Sequence, residues 1–332
     1  ASGYKALQAN ITGKWNVAAG REALMANLTG CRNTATGTYA LCSNTTGCRN
    51  TASGAYALKN NTTGCHNTAH GDLALFSNTT GLTNTGTGAC ALHSNTTGAR
   101  NVALGACSLY SNTTGAENVA VGFGSLRKNT TGGNNVAIGT GSQCNGATGS
   151  KNISLGGYTM HWITTGACNT AVGIDAQNKT TTGNCNSSFG SRAGYNITTG
   201  GFNVAVGAES LITNTTASYN IALGACSLYA NTTGTKNTGV GYSSLLANTS
   251  GDNNTAVGYQ SLSANTTGCF NTAVGICAGP VSNNLDNTIA IGNQATVSAS
   301  NTTVIGNTNT TCTTLYGGLS AESNVCSPTV CG

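Results

Sequence analysis

One phrase, Asn-Thr-Thr-Gly or a near variant, returns every 17 residues at Asn10, Asn27, Asn44, Asn61, Asn78, Asn95, Asn112 and Asn129. Degenerate versions keep the register at Gly146, Ile163, Thr180 and Ile197, and it resumes at Asn214, Asn231, Asn248 and Asn265. No insertion or deletion interrupts these sixteen repeats. Spacing this strict makes each unit one turn of a stack, where an added residue has nowhere to go. Helical repeats need units of about 30 residues or more, so a 17-residue unit rich in Thr, Val and Gly points to strands. The expected fold is all-β, a parallel β-solenoid (β-roll or β-helix) of about sixteen 17-residue coils.

The unit reads N-T-T-G-x-x-N-T-A-V-G-x-x-A-L-x-S, and positions are numbered below from its first Asn. Two short strands joined by glycine turns fit one coil, with the glycines at positions 4 and 11 at its corners. Positions 7, 9 and 11 share one strand face and are expected to point inward, because side chains alternate. Position 7 is Asn throughout: Asn16, Asn33, Asn50, Asn67, Asn84, Asn101, Asn118, Asn135, Asn152, Asn169, Asn186, Asn203, Asn220, Asn237, Asn254 and Asn271. A structural ladder is the expected role, each amide bonding its equivalents or the turn backbone.

Composition narrows the alternatives. Only 6% of residues are charged, against about 25% in ordinary domains. No run approaches the ~18 apolar residues of a spanning helix, so membrane insertion is not expected. The surplus of Lys and Arg, net +5, is spread too thinly for a nucleic-acid stripe. Fifteen cysteines suit an oxidising, extracellular setting. Starting at Ala1 without Met, the chain reads as a processed, secreted product. The eight acids are scattered among different coils, and no nucleophile–base pair or phosphate loop has a supporting context; neither enzyme chemistry nor a cofactor is expected.

Where coils differ, the outer surface is written. Position 10 is Ala19, Thr36, Ser53, His70 and Thr87 in the first five coils. It then becomes Leu104, Val121, Ile138, Leu155, Val172, Phe189, Val206, Leu223, Val240, Val257 and Val274. If position 9 faces in, these eleven form an exposed apolar stripe and a candidate lateral interface. Cysteines follow the register too: Cys31, Cys48 and Cys65 share position 5, Cys90 and Cys107 position 13, and Cys168 and Cys185 position 6. Neighbouring rungs lie ~4.8 Å apart, so rung-to-rung disulfides are expected, and metal binding is not. Cys312, Cys326 and Cys331 are candidates for pairing between subunits. Sequons mark candidate glycosylation at Asn44, Asn61, Asn78, Asn95, Asn112, Asn129, Asn301 and Asn309, although sugars on every rung would crowd.

Three segments follow: a 17-residue-repeat solenoid over 1–281, coils of shorter period over 282–316, and a Cys-containing tail over 317–332. Residues 1–7 enter the register with no capping element, which suggests that another subunit covers the first coil. The phrases Asn271-Thr272-Ala273-Val274-Gly275 and Asn287-Thr288-Ile289-Ala290-Ile291-Gly292 resemble the head repeats of trimeric autotransporter adhesins. The 17-residue units, ending in Val304-Ile305-Gly306 and Tyr316-Gly317-Gly318, also resemble shafts of phage tail fibres. That resemblance implies a parallel β-roll used for adhesion or as a fibre. The expected function is a secreted, glycosylated structural fibre subunit that assembles end to end with itself, with glycans or a cell surface as further partners.

Two alternatives are a trimeric host-adhesion shaft and an ice-binding solenoid. Against the latter, the threonines at positions 2 and 3 are adjacent and should face opposite ways. Paired threonines at positions 8 and 10 occur only at Thr34/Thr36 and Thr85/Thr87.

Overall fold

The computed structural model describes residues 1–280 and 282–311, so Cys312, Cys326, Cys331 and the tail lie outside the described residues. The chain is an all-β parallel solenoid of about 17 turns, with no helix among the described residues. Positions 8–10 of each coil form one three-residue strand, from β1 (Val17–Ala19) through β16 (Thr272–Val274). After β17 (Gly279–Pro280) come β18 (Ile289–Ile291), β19 (Thr296–Val297) and β20 (Thr303–Ile305). Every coil strand pairs in parallel with its equivalent in the next, as Val17 with Thr34 and Thr272 with Ile289, building an 18-stranded sheet. The 17-residue step holds as far as β18 and then shortens to 14, Ile289 pairing with Thr303.

The expected second strand per coil forms only at the C-terminal end, where β17 pairs in parallel with β19; the earlier coils lack it. Positions 6, 13 and 15 take left-handed φ instead, for example Arg49 (58°), Tyr56 (57°) and Leu58 (50°). Such a residue costs about 1–2 kcal/mol relative to right-handed backbone. The cost is tolerated because the kinked segment still bonds rung to rung: Leu58 N–H donates to Ala74 O at 2.9 Å, and Tyr56 N–H to Thr38 O at 2.8 Å. Left-handed residues at positions 13 and 15 thus turn the chain tightly without breaking the axial ladder.

The two recurrent glycines serve different needs. At position 11, Gly54 has φ +140°, a conformation that side chains avoid. At position 4, Gly64 has no unusual φ; a Cβ there would overlap Asn61 Oδ1 and the Gly81 carbonyl of the next coil.

The core is thin. Ala at position 9 and Ala-Leu at positions 14 and 15 are fully buried, as Ala52, Ala57 and Leu58 show. Most position-14 serines donate to the position-11 carbonyl of the same coil, as Ser108 Oγ does to Gly105 O at 2.8 Å, while Ser142 and Ser227 bond Ser154 and Ser244 instead. The apolar column splits into two long clusters, residues 18–137 and 193–297, around a small one of Met160, Ile163, Ala171 and Ala176. The split falls on the degenerate coils, where position 15 is Gln143, Met160, Gln177 and Gly194 in place of Leu.

Candidate functional site

Two asparagine ladders run along the stack, one at position 7 through all sixteen coils and one at position 1 in two runs, Asn10–Asn129 and Asn214–Asn265. At position 7, Asn118 Nδ2 donates to the Gly132 carbonyl at 2.9 Å, and Asn118 Oδ1 accepts the Asn135 N–H at 3.0 Å. Each amide therefore clamps its own coil to the next by two bonds, and the same pair recurs from Asn33 to Asn254. Thr288 closes the series, donating both N–H (3.0 Å) and hydroxyl (2.6 Å) to Asn271 Oδ1.

At position 1 the amides bond each other: Asn61 Nδ2 donates to Asn44 Oδ1 and Asn78 Nδ2 to Asn61 Oδ1, both at 2.8 Å. They also reach the position-4 carbonyl of their own coil, as Asn61 does to Gly64 O at 2.9 Å. This second ladder corrects the glycosylation reading. Asn44, Asn61, Asn78, Asn95, Asn112 and Asn129 are fully buried, or nearly so, and have their Nδ2 atoms in the ladder, so a folded coil leaves no room for a sugar. Asn301 and Asn309 are exposed.

The expected disulfides are absent among the described residues, where every cysteine is a free thiol. Geometry explains the position-5 column. Cys31 N–H donates to Cys48 Sγ, and Cys48 N–H to Cys65 Sγ, both at 3.1 Å. Each sulfur is a copy of the last, shifted by one rung of ~4.8 Å, and does not converge to the ~2 Å of a bond. Elsewhere Ser150 Oγ, Asn184 Oδ1 and Asp286 Oδ1 fill the same acceptor role at position 5. That shared chemistry, a short side chain with an acceptor, was the available sequence signal. Cys90, Cys107, Cys168 and Cys185 are likewise unpaired. Burial raises the pKa of Cys42, Cys144 and Cys226, and of Cys90 with its neighbour Cys107 adding to the effect. No group of three or more His, Cys, Asp or Glu side chains is gathered to hold a metal among the described residues.

The strand parity places position 9 inside and positions 8 and 10 outside. Along position 10, Leu104, Ile138, Phe189, Val206, Leu223, Val257 and Val274 are exposed, while Val121, Leu155, Val172 and Val240 are half-buried. Ile291 and Ile305 extend the row through the last two strands. Sequence reading stopped this stripe at Val274 and missed position 8, where Val102, Val119, Val136, Ile153, Val204 and Ile221 run beside it.

Threonines at positions 2 and 3 correct another expectation. They lie on a bend, not a strand, so both face out: Thr62 is half-buried and Thr63 exposed, and neighbouring coils repeat this. The position-2 hydroxyl donates to the next coil, Thr62 Oγ1 to Thr79 O at 3.0 Å.

Aromatic side chains that share a position also stack rung on rung. Tyr39 and Tyr56 lie 5.3 Å apart, Phe202 and Tyr219 5.2 Å, and His93 sits between Phe76 (5.3 Å) and Tyr110 (4.9 Å). Comparison with protein-family models and with curated proteins finds no match for the chain.

Proposed function

We propose that this chain is a structural rod, a subunit of an extracellular fibre or adhesive appendage, and that its role is mechanical. The observation that carries the reading is the unbroken axial ladder. Eighteen parallel strands, at ~4.8 Å spacing, make a rod of roughly 80 Å. Nearly every coil holds the next by the same backbone bonds and by position-7 asparagines. Such a stack has no intrinsic end, because each rung offers its neighbour the donors and acceptors that a rung of another copy would offer. End-to-end growth with itself follows from that, and the exposed sequon asparagines Asn253, Asn301 and Asn309 are positions open to sugar. Electron microscopy of native material tests it. Filaments with an axial repeat near one rod length support the proposal; isolated short rods at all concentrations overturn it.

The outward threonines favour a second reading, ice binding. Positions 2 and 3 are both Thr from Thr45/Thr46 to Thr266/Thr267, interrupted only by Ala147 and Ser250. Thermal hysteresis in a solution of the purified rod would establish this role, and its absence would remove it.

A further inference from the structure

We infer that the outer sheet face is where two copies of the rod pack against each other, side by side and antiparallel. The face has an abrupt chemical boundary. Up to Thr87 its position-10 residues are polar or small; from Leu104 to Ile305 all thirteen are apolar. No Asp, Glu, Lys or Arg occupies position 8 or 10 in any of these coils, so covering the face strands no charge.

Size identifies the occupant. Thirteen rungs at ~4.8 Å by a three-residue strand of ~10 Å give about 600 Å² of flat face per copy. Two copies together bury about 1,200 Å², the lower limit for a stable interface, before any flanking side chain is counted. A second copy supplies a matching apolar face of equal length and equal rung spacing. Sheets pack face to face about 10 Å apart, which suits interdigitated Val, Leu and Ile on both sides.

Charge sets the direction. Residues 1–60 hold six Lys and Arg against one Glu, while the remaining 272 hold seven basic and seven acidic residues. The whole surplus of +5 therefore sits at one end of the rod, beyond the apolar stripe. Parallel pairing would set two such ends side by side. Antiparallel pairing separates them by most of the ~60 Å stripe, far beyond the ~8 Å screening length in physiological salt.

The inference rests on the fibre reading only in taking the rod as the unit, because end-to-end growth can continue when lateral packing is lost. The test is sedimentation of the full chain, with rod width by electron microscopy. The unchanged chain is expected at twice 32.9 kDa, or as filaments of double width. The double variant Val172→Lys, Val206→Lys should fall to single mass or single width, with its circular dichroism unchanged. Thr87→Lys, on the same face but outside the stripe, should leave pairing intact. A single-mass wild-type rod, a threefold mass, or pairing that survives both lysines overturns the proposal. Gold bound to an N-terminal tag should mark both ends of each paired rod; gold at one end overturns the antiparallel arrangement.

Discussion

At the scale of single residues, stability rests on amides. Asn112 is bonded on both sides, donating to Asn95 Oδ1 at 2.8 Å and accepting from Asn129 Nδ2 at 2.8 Å. Asn129 has no rung to follow it, because Gly146 replaces the next Asn, and its Oδ1 is a buried acceptor without a partner. Leaving a buried polar group unsatisfied costs about 1–3 kcal/mol. Asn112→Ala should therefore destabilise by about 1 kcal/mol more than Asn129→Ala, as thermal or denaturant unfolding of the two variants would show. His93 gives a second prediction. Its burial between Phe76 and Tyr110 lowers its pKa below the ordinary 6.5. The unfolded chain then takes up the proton more readily, so stability from this site is full above about pH 6.5 and is lost as pH falls through the lower folded value. His93→Phe should flatten the fall in melting temperature between pH 7 and 5; an unchanged slope would assign the effect elsewhere.

At the scale of the coil, the glycine at position 4 is a contact and not a hinge. In Gly64→Ala the new methyl would meet Asn61 Oδ1 and the Gly81 carbonyl, part of the axial ladder itself, costing about 3 kcal/mol or more. Gly124→Ala has nothing within 4 Å and only its φ of +63° to accommodate, so about 1 kcal/mol is expected. Comparing their melting temperatures separates the two causes. The degenerate coils form a seam. Asn129 Oδ1, Gln177 Oε1 and Thr180 Oγ1, buried atoms that lack partners, all lie at or within it. Core Gln143 and Gln177 bond Ser154 and Ser188 across what is elsewhere Leu against Ala. Hydrogen exchange should find the lowest opening free energy among interior coils between residues 142 and 200. Uniform protection along the rod would contradict this.

At the scale of the whole molecule, the rod needs no covalent staples among the described residues. Its thiols are free, and the position-5 sulfurs serve as hydrogen-bond acceptors. Reduction with dithiothreitol should leave the melting temperature of the single rod unchanged. A fall of several degrees would show that cross-links carry stability after all. The seam also divides the apolar column into two halves that can unzip separately, since each coil touches only its neighbours.

The sequence by itself determined the period, the parallel stacking and the inward set at positions 7 and 9, whereas position 11, also expected inward, is a half-exposed glycine turn. Sixteen repeats of one length permit only one register, and strand alternation then assigns Ala52 to the core and Leu104 to the surface. It could not show that each coil turns through left-handed residues at positions 6, 13 and 15, because Leu58 at φ 50° violates local preference and is held there by bonds to the neighbouring coil. For the same reason Asn-Thr-Thr read as a run of sugar sites. Burial of Asn44 and Asn61, like the orientation of the Cys31 and Cys48 sulfurs, depends on how one coil sits on the next. Tertiary structure decided those roles, since the partner of each group lies 17 residues away along the chain and one rung away in space.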